Sequence, residues 1–221
     1  MACELNTSGP LFESLRLGRS SSDDPSPYPD RRDWASSPPQ PQGYGSVVEN
    51  GRATIVRPGR EDDEQSLLGL FDEAVLWLTE RGLGGQWGSR PWSEQPETIE
   101  RVANLARSPG LTVAAVGDEL VGALEVSEDS PSYAPVTNEP GLYIVLLLTS
   151  RRLIGSGIGT ALLDHARSDC LARGLSLLRV DCWAGGRRRL VRYYESAGFT
   201  AAESFDRNGW PGQLLIQRLG G

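Results

Sequence analysis

From about residue 52 onward, the apolar residues fall into short runs and helical stripes separated by breaks rich in glycine and proline. Ala53–Arg57 reads as a first strand, closed by Pro58-Gly59. Across 60–81 the apolar residues Leu67, Leu70, Phe71, Ala74, Val75 and Leu78 recur at intervals of three and four, the period of one helix face. The acids Glu61–Glu64 suit the positive end of that helix. A loop over 82–96 is marked by its glycines and prolines, and 97–107 is a second helix. Leu111–Val116 and Leu120–Val126 form a hairpin about Gly117-Asp118-Glu119. Leu142–Thr149 (LYIVLLLT) is continuously apolar, the pattern of a central strand buried on both faces. A glycine-rich stretch leads into a helix over 157–173. Then come a strand over 175–182, a helix over 187–197 capped by Gly198, and strands over 200–205 and 213–218. The order β-α-α-β-β-β-α-β-α-β-β, without internal repeat, predicts a mixed α/β (α+β) layer fold.

Residues 1–50 are a different material. Stretches such as SSSDDPSPYPD and SSPPQPQGYG cannot bury enough apolar surface to offset the entropy of ordering, so a disordered tail is expected there, with the functional domain over 51–221. Alternatively, the functional start lies near Val47 or Val48. The first residues lack a basic segment followed by a long apolar one, and no apolar run approaches the roughly 18 residues a membrane span needs. A cytoplasmic protein without membrane partners is expected. The net charge of -7 argues against nucleic acid as a partner and favours a cationic, amine-bearing ligand. All 22 basic residues are Arg, which we read as the mark of a GC-rich genome rather than of mechanism. Cys3, Cys170, Cys182 and the single His165 show neither CxxC spacing nor a ligand set, so no metal is expected.

The chemistry-bearing stretch is LLLTSRRLIGSGIGTALLDHA. A buried strand that passes through glycines into a helix presents free backbone N–H groups backed by the helix dipole, which is an anion site suited to phosphate. A Walker loop is excluded because Thr160 follows Gly159 directly and the chain has no Lys. A dinucleotide fingerprint fits poorly because the spacing is GxGxG, although Asp181 lies on the following strand. The glycines alone also suit a tight structural turn.

The segment GSGIGTALLDHA resembles motif A of the GNAT superfamily of acetyl-CoA-dependent N-acetyltransferases, and YYESAGF (Tyr193–Phe199) resembles that family's Tyr-Glu-x-x-Gly-Phe motif. One helix and one strand separate the two, as in the family, and the resemblance spans roughly Thr54 to Leu219. It implies the GNAT acyl-CoA N-acyltransferase fold, with a mostly antiparallel sheet of about seven strands and helices on both faces. It also implies acetyl-CoA as co-substrate. Ile154, Gly155, Ser156, Gly157, Ile158, Gly159 and Thr160 would surround its pyrophosphate. Ile154 then stands where the family has Arg or Gln. A shifted frame starting at Arg152 also satisfies the pattern, but the first frame puts Ile158 and Leu162 on the inner helix face. Backbone groups of Leu147, Leu148 and Thr149 would pair with the pantetheine arm, in a slot where this strand splays from the one at 175–182.

By the same resemblance, Tyr194 is the acid that protonates the departing thiolate, or else a core aromatic; Tyr193 points elsewhere and Phe199 is core. The central strand carries no Glu to act as base, which leaves Glu125, Asp181, a water chain or an amine that arrives neutral. Trp87 and Trp92 lie where the family builds its acceptor pocket, as an aromatic wall or as hydrophobic plugs; Asp181–Trp183 (DCW) lie on the facing side and would share that pocket, with Asp181 as a substrate contact. Arg187–Arg189 replace the family's Asn and either meet the adenosine-side phosphate or form a solvated helix start. Acetyl transfer to a primary amine, most simply of a small molecule, follows, with a homodimer through the last strands as an option. An acyl-CoA-binding sensor of the same fold is the alternative.

Overall fold

The computed structural model describes residues 48–49, 52–82, 87–135 and 139–220. The expectation of a disordered tail therefore lies outside the described residues over 1–47. The eight strands are β1 (Val48–Glu49), β2 (Arg52–Pro58), β3 (Leu111–Val116), β4 (Glu119–Ser127), β5 (Leu142–Thr149), β6 (Leu177–Trp183), β7 (Thr200–Arg207) and β8 (Trp210–Arg218). The four helices are α1 (Glu64–Thr79), α2 (Pro96–Ala106), α3 (Ile158–Ala172) and α4 (Gly185–Ser196). One sheet holds all the strands in the order β1-β2-β3-β4-β5-β6-β8-β7. Every neighbouring pair is antiparallel except β5 and β6. The predicted succession of elements and the mixed, mostly antiparallel sheet are thus observed, with strand pairing beginning at Val48.

Helix α1 starts where the sequence places its acids. Asp63 takes the Arg60 backbone N–H on Oδ2 at 2.8 Å and a two-pronged grip from the Arg57 guanidinium at 2.8 and 2.7 Å, which ties the helix start to β2. That hydrogen-bonded pair holds the Asp63 carboxyl below its ordinary value. The apolar stripe of α1 is buried as its spacing predicts and, with α2, covers one sheet face through Leu111, Val113, Ala123, Leu146 and Leu148. The opposite face, built on Val56, Leu124, Ile144, Leu147, Val180 and Leu215, is covered by α3 and α4. Ile158 and Leu162 point into that second core, as the chosen motif frame requires. In β5 only Val145 is less than fully buried, so the reading of a strand covered on both faces holds.

Two elements differ from expectation. Helix α4 opens at Gly185 rather than Arg187, and Gly186, Arg187 and Arg188 form a left-handed turn with φ of 56°, 60° and 57° before regular helix resumes. Sequence pattern has no period that announces such a turn; the Trp183 ring resting on Gly185 and Gly186 accompanies it.

Trp87 and Trp92 are the second difference. Expected either as an aromatic wall or as plugs, they are 1% and 0% exposed and belong to the core under α1. Phe71 stacks flat on Trp92 at 4.2 Å, with Trp87 tilted at 5.6 Å from Phe71. Trp92 Nε1 donates to the Trp87 carbonyl at 3.4 Å, so the two rings and the segment carrying them close on each other. In this structure Trp87 packs in the core, where an indole is the largest apolar surface available to pin a glycine-rich segment. Replacing Trp92 by Ala should cost about 3–5 kcal/mol of unfolding free energy in urea titrations, whereas a ring lining an open pocket would cost far less.

Candidate active site

Strands β5 and β6 run parallel and pair only through Leu142–Leu178, Tyr143–Arg179 and Ile144–Val180. Past that point β5 continues to Thr149 and β6 to Trp183, the latter still paired with β8. The ladder therefore forks. The cause lies on the other edge of β5, where the register with β4 jumps: Ile144 faces Val126 and Leu146 faces Glu125, leaving Val145 as an extra residue. An extra residue bends its strand and sharpens the twist, turning it away from the neighbour on its far side.

Asp181 is the first β6 residue beyond the last β5–β6 pair, so it stands at the apex of the fork. It is 7% exposed and accepts the Tyr143 hydroxyl at 2.5 Å and the Tyr133 hydroxyl at 3.3 Å. Burial raises its pKa to about 6, against the opposing pull of those two hydroxyls and of the Arg207 charge. Arg207 in turn lies 4.5 Å over the Tyr133 ring. Glu125, opposite Leu146 on β4, is also pushed upward by burial, with a Ser108 side-chain hydrogen bond opposing. Both carboxylates singled out in the sequence thus flank the bulge at Val145, on the face away from α3.

At the end of β5, Ser150 caps a single 3-10 turn at Arg151–Leu153 by accepting the Arg152 N–H on its hydroxyl at 3.3 Å. The chain then passes through Gly155 to Gly157, which occupies the N-cap of α3 at φ 85°, a conformation that side chains with a Cβ rarely adopt. No side chain among the described residues caps that end, so the α3 N-terminal amides face outward as a site for an anion. Gly159 is needed for space: a Cβ there would lie 2.6 Å from the Tyr193 hydroxyl and 3.9 Å from Thr149 Cγ2. Ile154 is 64% exposed beside this loop, an unusual position for so apolar a side chain.

The Tyr193 hydroxyl reaches the first turn of α3, contrary to the expectation that it points elsewhere. Tyr194 is 1% exposed, in the core with Val180 and Cys182 and edge-on to Phe199 at 5.6 Å. The two tyrosines themselves meet edge-on, with centroids 5.2 Å apart. Only geometry reveals the place of Tyr193, because adjacent helical residues diverge by about 100° and sequence alone does not say which of them faces the loop. Arg187 and Arg188 on the left-handed turn that opens α4, and Arg189 just after it, are exposed.

The arrangement fits a ligand with an anionic middle and an extended arm. The uncapped glycine turn suits a pyrophosphate, and the forked edge of β5 leaves a strip of extended backbone at Leu147, Leu148 and Thr149 for an arm to lie along. No helix among the described residues is long and apolar enough to cross a membrane.

A family model described as the acetyltransferase (GNAT) family matches residues 73–199, more than half of the chain. No curated protein matches the sequence. Among solved structures, a GNAT-family acetyltransferase from Listeria monocytogenes superposes with a TM-score of 0.61 at 17% identity, covering 79% of this chain and 100% of that one. The PaiA N-acetyltransferase of Thermoplasma acidophilum, in complex with coenzyme A, gives 0.57 at 17% identity, over 75% of this chain and 98% of that one. YncA of Salmonella typhimurium, solved with its cofactor acetyl-CoA, gives 0.52 at 15% identity, over 76% and 94%. At these identities the likeness establishes the fold.

Proposed function

Because this chain belongs to the GNAT acetyltransferase family, we propose that it is an acetyl-CoA-dependent N-acetyltransferase acting on the primary amine of a small molecule. The observation that carries this reading is the β5–β6 fork, with Asp181 at its apex and the uncapped glycine turn at the end of its β5 arm. Acetyl-CoA, when bound, would supply the acetyl group as an activated thioester. Backbone N–H groups from Gly155 to Thr160 hold its pyrophosphate, and Leu147–Thr149 offer extended backbone to its arm. A β5 N–H beside the bulge polarises the acyl oxygen, so that charge developing there meets a fixed donor.

Asp181 takes a proton from the acceptor's ammonium, directly or through a water, and the neutral amine so formed attacks the thioester carbonyl. A carboxylate with a pKa of about 6 is ionised at neutral pH yet more basic than an exposed one, which is the tuning a general base needs. The Tyr143 and Tyr133 hydroxyls both donate to its Oδ1 and hold the carboxylate in place. Tyr194 returns a proton to the departing thiolate, and Tyr193, at the first turn of α3, keeps the glycine loop and α4 in register. The net negative chain favours approach of a cationic acceptor. The homodimer through the last strands and a cytoplasmic location belong to this proposal as expectations.

Isothermal titration should show saturable binding of acetyl-CoA that is lost in Gly157→Leu and Gly159→Leu variants which still fold. Absence of binding by folded wild-type protein would overturn the reading. With an acceptor found from a panel of primary amines, turnover should rise as pH passes upward through about 6, since Asp181 must be ionised to act. Asp181→Asn should remove that rise and lower kcat by about 10²–10⁴-fold. Tyr194→Phe should lower kcat with the acetyl-CoA affinity unchanged; undiminished kcat would return Tyr194 to a purely packing role.

A further inference from the structure

Three consecutive residues of α1 reach two different parts of the molecule. Phe71 stacks on Trp92 and packs against Trp87. Asp72 accepts the Ser93 backbone N–H on Oδ1 at 3.1 Å. Glu73 turns the other way and accepts from the start of the glycine loop: the Ser150 hydroxyl at 3.0 Å, the Arg151 N–H at 2.6 Å and the Arg152 N–H at 3.1 Å. One turn of helix thus grips both the segment that joins α1 to α2 and the segment that joins β5 to α3.

The grip on the glycine loop is doubled one turn later. The Trp77 ring has Arg81 at 4.1 Å and Arg151 at 4.8 Å from its centroid, so Arg151 is held to α1 by its backbone through Glu73 and by its guanidinium through Trp77. Arg152 lies 3.8 Å from Glu73 Oε2 and also pairs with Glu119 of β4. Only Leu153 and Ile154 separate this clamp from Gly155. The Glu73 side chain is 23% exposed, which leaves its hydrogen bonds partly shielded from water.

We propose that Glu73 is a positioning residue that couples the glycine loop to the 87–95 segment, so that coenzyme A bound at the loop orders that segment before an acceptor arrives. The inference rests on the coenzyme A reading given above. A ligand that fixes the amides from Gly155 onward also fixes Ser150–Arg152 immediately before them. Those groups meet a single carboxylate whose hydrogen bonds are directional, so fixing them restrains Glu73 and the turn of α1 that carries it. The same turn holds Trp92 and Ser93. By linkage, an ordered 87–95 segment favours coenzyme A binding by the same factor. Neither of the two family-like motifs contains Glu73, and a helical surface acid in a sequence gives no sign of reaching a loop 77 residues away.

Hydrogen–deuterium exchange of the full chain, with and without saturating coenzyme A, tests this alongside calorimetric affinities. In the wild type, coenzyme A should slow exchange in peptides from 150–160 and also in those from 64–79 and 87–95. In Glu73→Ala the slowing should be confined to 150–160, with coenzyme A bound about tenfold more weakly. Comparing each variant with and without ligand removes any general loss of stability from the reading. Glu73→Gln, which keeps the shape and one accepting oxygen, should restore part of the distant slowing and serves as the test if the alanine variant does not fold. Ligand-bound wild type with unchanged exchange over 87–95, or a variant with the full wild-type response, would overturn the coupling. A wild-type chain that binds no coenzyme A defeats the cofactor reading and the coupling with it, and the titration tells that outcome apart from a bound but uncoupled state.

Discussion

An interior strand stays in a sheet only while both of its edges find partners, and in β5 one added residue breaks that condition. Val145 has no opposite number on β4, and the pairing with β6 stops one residue before it, at Ile144. The added residue also changes which way the strand faces. Tyr143 and Val145 pack with Ala134 and Leu214, whereas the very next residue, Leu146, enters the core under α1. Two successive side chains therefore share one face, and the backbone between them is turned towards the gap. The fork, the apical position of Asp181 and the edge of β5 left unpaired by β6 all follow from that single insertion.

The rest of the molecule braces the opening. A sheet missing half of one ladder forfeits hydrogen bonds that neighbouring elements must offset. On one face α3 and α4 close over Ile144, Leu147, Val180 and Cys182. On the other, the connection between β4 and β5 is drawn down by Arg179, which donates to the Gly141 carbonyl at 3.2 Å and to the Ser130 hydroxyl at 2.8 Å. Tyr133 from that same connection meets Asp181. A buried carboxylate at the fork is costly when ionised, and its upward-shifted pKa expresses that cost. The same cost makes it a stronger base than an exposed aspartate, so the burial that strains the fold serves the proposed chemistry.

Much of this was legible in the sequence because it is local. The three- and four-residue spacing of α1, the apolar run of β5 and the glycines before α3 each name their element without help from the rest of the chain. Asp181 was legible as a candidate because an acid so near a predicted strand end invites the question. What pattern could not reach was relative position. The bulge leaves no mark in an unbroken apolar run such as LYIVLLLT, since any of its residues could be the extra one. Trp87 and Trp92 are equally compatible with wall and plug until Phe71 is seen stacked against them. Tyr193 and Glu73 make contacts across distances in sequence that no periodicity records.

A crystal structure of the full chain grown with acetyl-CoA tests the central claim most directly. The account predicts the extended arm lying in the gap between β5 and β6, hydrogen-bonded to β5 backbone between Val145 and Thr149, with the pyrophosphate on the amides of Gly155–Thr160. A ligand bound elsewhere, or a β5–β6 ladder closed beyond Ile144 and Val180, would contradict it.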